Sequence, residues 1–554
     1  MRPLARCAAL TWALVAVAPL TARAGFKCPA KGGDEWREYR SKHFVVQTDV
    51  GGFKVQLLVR QLERMHALEL QALVGEQVEI PGRLRVLAFG DPALFTELAG
   101  SSIVGAFYGH SWMREPFIAL PIAGLEAEPE MIAHEIAHHL SRFLFPRQPA
   151  WFSEGLAQFV QTIADISAPR MPFTGSHIVR GNPVQSGNVG VTPMHMAAAL
   201  QLAPVVPVRE LLQWDGHRES GDGKYHLYSW LLYHWLWNAR SKQFTAFQQR
   251  LSNGDDDAAA LRAEIPELDP GNAAALAKVD DALERYRRSG RYASYHVDAQ
   301  TDGSFTEGQA LSSAEVHSLI YDASARRDDK ETLAALDEAL GEDATHPVAI
   351  AVRAARADAA SLAALRKAVA ARPSDWRAWL LVGLALGDSF RDEAEKEAAY
   401  RKAAALNPAS AWAHVELAHH LVTHGRPKEA LPVANRALDL DPADPYAIQG
   451  LAEVAADLGK CKEALVLQRR AASMVPAATP EAPSWPNTRC AAGPSPLPGP
   501  AWRRRPRADG GARLMRLPAA GSTTLPCRRA CSSSTTRRTS AVRWPSAWRA
   551  SAAR

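Results

Sequence analysis

"MIAHEIAHHL", residues 131–140, sets His134, Glu135 and His138 in the spacing H-E-x-x-H. Residues four apart on a helix share a face, so His134 and His138 point the same way and can reach one ion. Glu135 sits about 100° round the helix, beside such an ion, where a carboxylate serves as a general base toward an attacking water. Ile132, Ile136, Leu140 and Phe143 fall on the other side as an apolar stripe. A core face opposite a ligand face is what a helix carrying a metal site needs. The helix is expected from about 128 to 144 and must stop before Pro146 and Pro149.

A hydrolytic zinc site takes three protein ligands and keeps one position open. In the metzincin pattern a third His stands six residues after the second, but here that position is Leu144, and Ser141 stands where a Gly belongs. The other solution is a Glu from the next helix, and "WFSEGLAQF" (151–159) supplies Glu154. Phe152, Leu156, Phe159, Val160 and Ile163 form its apolar stripe, with Glu154, Gln158 and Gln161 opposite.

"HEIAHHL" followed by "PAWFSEGLAQF" resembles the gluzincin metallopeptidases, most closely the bacterial peptidase MA-like family, in which H-E-x-x-H is followed by W-x-x-E-G-[LM]-A. The resemblance covers roughly residues 34–250, with its specific motifs at 131–160. It implies a zincin-like α+β fold in which His134, His138 and Glu154 bind Zn2+ and Glu135 is the general base and acid. It also implies that the strand "EPFIALP" forms the cleft edge and pairs with an extended substrate. Relatives carry a carboxylate four residues after the ligand Glu to hold a zinc His; here that residue is Gln158. An oxyanion-stabilising Tyr or His is expected from a later helix, where Tyr225, His226 and Tyr228 stand, and Tyr225 is the residue chosen. His139 is expected to be packed or solvated, and His110, His177 and His195 have no ligand spacing.

The order along the first part is mixed. Strands are expected at 43–50, 83–89, 105–110 and 115–122, and helices at 55–74, 91–99, 128–144, 150–164 and 224–250, with loops at 165–195. This α+β domain is expected to fill 25–265, followed by a polar linker or lid at 266–310. Beyond 311 the chain turns Ala-rich and repeats itself. "KEAL" recurs at 428–431 and 462–465, and Pro falls at 373, 408, 442 and 476. A period of 34 with small residues and a terminal Pro is the tetratricopeptide (TPR) pattern. Three repeats are expected over 374–476 and a degenerate pair before them, making 311–476 an all-α solenoid.

The two ends differ from the rest. Arg2 and Arg6, the apolar run 7–20 and "ARA" at 22–24 read as a secretory signal peptide over 1–24. Residues 477–554 are Arg-, Pro-, Ala- and Ser-rich, and from 479 on they hold no Lys, Ile, Phe, Tyr, His or Gln. Such a segment cannot build a core and is expected to be disordered, with a shifted reading frame as its suggested origin. The tail from 479 has 14 Arg against Glu481 and Asp509, so without it the net charge of +5 becomes −7. Nothing in the remainder reads as a nucleic-acid surface. Cys28 and Cys461 are far apart, and no disulfide framework is expected.

Together these features give an exported (periplasmic or secreted) bacterial zinc peptidase with no membrane anchor after signal cleavage. Its substrate is a peptide or protein, and its repeats take a protein partner or deliver substrate. The alternatives are an inactive metal domain carried by a TPR interaction module, and a zinc hydrolase of a non-peptide amide.

Overall fold

The computed structural model describes residues 27–474 except for internal stretches, the longest being 165–177, and it also describes Cys490. The expected signal peptide and nearly all of the tail lie outside the described residues.

A six-stranded mixed sheet organises the first part. Its strands are β1 (Arg37–Arg40), β2 (Phe44–Thr48), β3 (Leu84–Phe89), β4 (Phe107–His110), β5 (Pro116–Pro121) and, from much later in the chain, β9 (Thr306–Ala310). Their spatial order is β4-β5-β3-β2-β1-β9. β2, β3 and β5 run parallel, and both edges are antiparallel. The parallel centre must be covered on both sides, and the alternation along β3 shows how. Leu84, Val86 and Ala88 pack with α1 (Phe53–Val74) and α3 (Pro129–Leu144). Leu87 and Phe89 face the other way, toward Phe95 of α2 (Pro92–Ala99).

That second face is closed by Val316, Leu319 and Ile320 of α11 (Ser313–Ala323). The first helix of the expected solenoid is thus also the back cover of the sheet. The front layer continues through α4 (Ala150–Val160), α7 (Gly223–Ala239), α8 (Ser241–Ser252) and α10 (Ala273–Ser289), all contributing to one core.

Three expectations are corrected here. The strand "EPFIALP", β5, lies between β3 and β4, so the free edge belongs to β4. Residues 266–310 are neither linker nor lid. Leu276, Val279 and Leu283 of α10 are core residues, β8 (Tyr295–Gln300) pairs with β7 (Asn182–Val189), and β9 pairs with β1. The supposed loop region 165–195 therefore contains a strand, β7, whose partner lies more than a hundred residues away. Thirdly, Cys461 is disulfide-bonded to Cys490 across 29 residues.

From 313 the helices pair in sequence. Before the regular repeats come α11 with α12 (Lys330–Glu342), and α13 (Pro347–Arg353) with α14 (Ala359–Ala371). The regular pairs are α15 (Trp376–Ala385) with α16 (Glu393–Leu406), α17 (Ala411–Thr423) with α18 (Pro427–Leu440), and α19 (Pro445–Asp457) with α20 (Cys461–Ser473). Asp375, Ser410 and Asp444, each two residues after a repeat-ending Pro, cap α15, α17 and α19 by accepting backbone N–H groups. A Cβ on Gly383 would sit 2.4 Å from the Tyr400 ring, so only glycine lets α15 and α16 approach this closely.

Candidate metal centre

α3 carries the H-E-x-x-H residues with its apolar stripe inward: Ile132, Ile136 and Leu140 are fully buried. α4 brings Glu154 to the same point. It can do so because Gly155 lies flat on α7, where a Cβ would fall 2.5 Å from the Ser229 carbonyl oxygen and 2.8 Å from Tyr233 Cβ. The E-G pair in the motif is therefore one candidate ligand and the contact that positions it.

Three donor atoms converge. His134 Nε2 and His138 Nε2 are 3.0 Å apart, and Glu154 oxygens lie 3.3 Å from the first and 3.4 Å from the second. A tetrahedral ligand set at about 2.0–2.1 Å from an ion has edges of about 3.3–3.4 Å, so the spacing fits zinc. Glu154 Oε2 is buried without a hydrogen-bond partner, which an ion would supply. Burial opposes a charge on His134, but the Glu154 carboxylate outweighs it and pushes the pKa up to about 8. Burial likewise opposes the Glu154 charge, yet His138 and His134 hold its carboxyl well below the usual range. The two shifts are one attraction between the histidines and the carboxylate, felt from its two sides.

The ligand rings are oriented from behind. His134 Nδ1 lies 2.9 Å from Gln161 Oε1, and Gln161 Nε2 donates to Glu130 Oε2 at 3.4 Å. A carboxylate only accepts, so Glu130 fixes the amide orientation and Gln161 must receive the proton on His134 Nδ1, leaving the Nε2 lone pair turned toward His138 and Glu154. His138 Nδ1 is 3.2 Å from Ser153 Oγ. The expected role of Gln158 is not seen: its side chain is buried and Oε1 has no hydrogen-bond partner. Gln161, three residues further on, does the work, and helix spacing alone did not separate the two.

Glu135 is 3% exposed, and its Oε2 accepts the Tyr108 backbone N–H of β4 at 2.8 Å. The general-base candidate is thereby tied to the edge strand of the sheet. Tyr225 does not point to the site: it hydrogen-bonds Glu210 and stacks on Trp214 at 5.3 Å. The neighbouring His226 does, with Nε2 3.6 Å from Glu154 Oε2 and its ring edge-on to Trp214. Tyr228 is buried in the core. His139 faces Tyr108 rather than the ligands. His177 lies outside the described residues.

Comparison with known proteins finds a family match within the second half. Residues 411–454 match the tetratricopeptide repeat family. Among solved structures, a MamA protein matches at 17% identity over 29% of this chain and 91% of its own, with a TM-score of 0.23. A thermophilic TPR protein of Thermus thermophilus matches at 19% identity over 30% of this chain and 88% of its own, also with a TM-score of 0.23. No curated protein matches the chain. The chain is thus a largely helical protein with a sheet-containing first part and tetratricopeptide repeats, and such repeats point to protein–protein interaction.

Proposed function

We propose that the protein is an exported zinc-dependent peptidase of gluzincin type whose repeats bind a protein partner or substrate. The observation that carries this reading is the convergence of His134, His138 and Glu154 at tetrahedral spacing beside Glu135. Zinc bound there supplies Lewis-acid polarisation of a carbonyl and makes water more acidic. Glu135 takes the proton of the attacking water and returns it to the leaving amine. Its bond from Tyr108 N–H holds the carboxylate against the edge strand. β4, as the sheet edge, is the strand an extended peptide would add to. His226 replaces Tyr225 as the donor for the developing oxyanion, because it alone of the two approaches Glu154. Export is inferred from the leader-like first 24 residues, and no helix among the described residues is long and apolar enough to cross a membrane.

The test is zinc content and cleavage of casein and a peptide library by the purified full chain, with and without chelator. Glu135→Gln should keep metal and lower cleavage about 10²–10⁴-fold, the usual contribution of a general base. Unchanged cleavage in that variant removes Glu135 from the chemistry. The match at 411–454 favours the second reading, an interaction module with an inert metal domain; zinc uptake with no cleavage of any substrate supports it.

A further inference from the structure

Outside the H-E-x-x-H centre, a second group of metal-ligating side chains lies between two repeats. Glu393 opens α16, His420 lies in the last turn of α17, and His424 is the residue that caps it. The two histidines are four apart and stack with ring centroids 4.2 Å apart.

The proton on His424 can be placed. His424 Nδ1 is 2.7 Å from the His420 carbonyl oxygen, which only accepts, so Nδ1 carries the proton. In the neutral ring Nε2 then holds a lone pair, and it faces Glu393 Oε2 at 3.1 Å. His420 Nδ1 lies 3.4 Å from the same oxygen, while its Nε2 is 3.6 Å from Glu397 Oε2. Carboxylate oxygens thus stand near both nitrogens of His420. His420 is 3% exposed, and neither its Nδ1 nor Glu393 Oε2 has a hydrogen-bond partner. The Nε2 lone pair of His424, an unpartnered His420 Nδ1 and an unpartnered carboxylate oxygen thus face one another in a part-buried place. A cation among them would give each of these atoms a partner.

The cation could be a proton, making His424 an imidazolium. An imidazolium at His424 would answer Glu393 but leave the buried His420 Nδ1 without a partner. A metal ion answers all three atoms at once. The 3.1 and 3.4 Å separations are close to the edges of a zinc ligand set, about 3.3–3.4 Å.

We propose that Glu393, His420 and His424 form a second metal site, taking a divalent ion of the zinc class that clamps α16 to α17. With His424 and Glu393 28% and 19% exposed, the site opens to solvent, and a fourth position is free for water or a partner side chain. Imidazole and carboxylate donors suit zinc, cobalt or nickel over magnesium or calcium.

Cobalt(II) is the probe, with the full untagged chain freed of metal by chelator. In a His134→Gln, His138→Gln background the chain should still bind one equivalent, with the intense visible absorption of low-coordinate cobalt. Adding His424→Gln should abolish that equivalent, and Glu393→Gln should do the same, while helicity by circular dichroism is retained. Two separate substitutions guard against one failing to fold. No cobalt binding in the background chain overturns the proposal, as does binding that survives His424→Gln. Neither result depends on whether the first centre is catalytic.

Discussion

At the residue scale, the two glutamines of α4 and the turn that follows it separate sequence spacing from structure. Position 158 is four residues after Glu154 and faces the same way on an ideal helix, which makes it the expected partner for a histidine of the proposed metal centre. The chain instead tightens into a 3₁₀ turn at Gln161–Ala164, and Gln161 reaches His134 while Gln158 stays buried. Gln161→Leu should therefore weaken zinc binding at this centre about 10–100-fold, the usual effect of losing an outer-shell partner. Gln158→Leu should leave it unchanged. Competition with a chromophoric chelator, in the His424→Gln background, reads both. Equal losses would mean that neither amide orients the ring.

At the element scale, Gly155 governs how α4 meets α7. Gly155→Val must push its side chain into the Ser229 carbonyl and Tyr233, at a cost of about 1–3 kcal/mol for overpacking, or more if the backbone cannot shift. Urea unfolding should show the loss, and zinc affinity should fall with it, since the neighbouring Glu154 is one of the proposed ligands. The segment 266–310 makes a second test. A lid could be removed and activity would rise or persist. Here β8 pairs with β7 and β9 pairs with β1, so deleting 295–310 strips a strand from each sheet. The truncated chain should be insoluble or lose its cooperative unfolding transition; a folded, active product would restore the lid interpretation.

At the scale of the whole molecule, the repeat array is built onto the sheet. Arg114, in the β4–β5 turn, adopts φ 62°, a left-handed conformation costly for a non-glycine residue. It places the guanidinium 5.2 Å from the Trp412 ring and 4.1 Å from that of Tyr446. Arg142 of α3 bonds Asp441 at 3.1 Å. Between these contacts lies a polar cavity of about 1010 Å³ that also borders Tyr108, His110 and His139.

Burial first, and then Arg142, lowers the His110 pKa to about 4; His139 and Arg114 act in the same direction and Asp441 opposes them. The unfolded chain takes up this proton near pH 6.5, the folded chain only near 4. Between those values the unfolded state binds more protons, so stability falls as pH drops from about 6.5 to 4. Urea midpoints measured across that window should fall less steeply in His110→Asn than in the unaltered protein. An identical slope would show that His110 is solvated and ordinary.

The sequence by itself determined what is local and periodic. H-E-x-x-H and the Glu of the next helix could be read because their geometry is set by helix pitch, and the structure brings all four residues together. The repeats could be read because each is a unit of fixed length with its own Pro and cap, and their family match falls on that segment. Tertiary structure alone decided what depends on distant partners. It made β4 rather than β5 the sheet edge, joined β7 to β8 and β9 to β1, and paired Cys461 with Cys490. It also turned His226, not Tyr225, toward Glu154. A strand's neighbour and a side chain's direction at a helix start are fixed by the packing of the whole core, and no spacing within one segment encodes them.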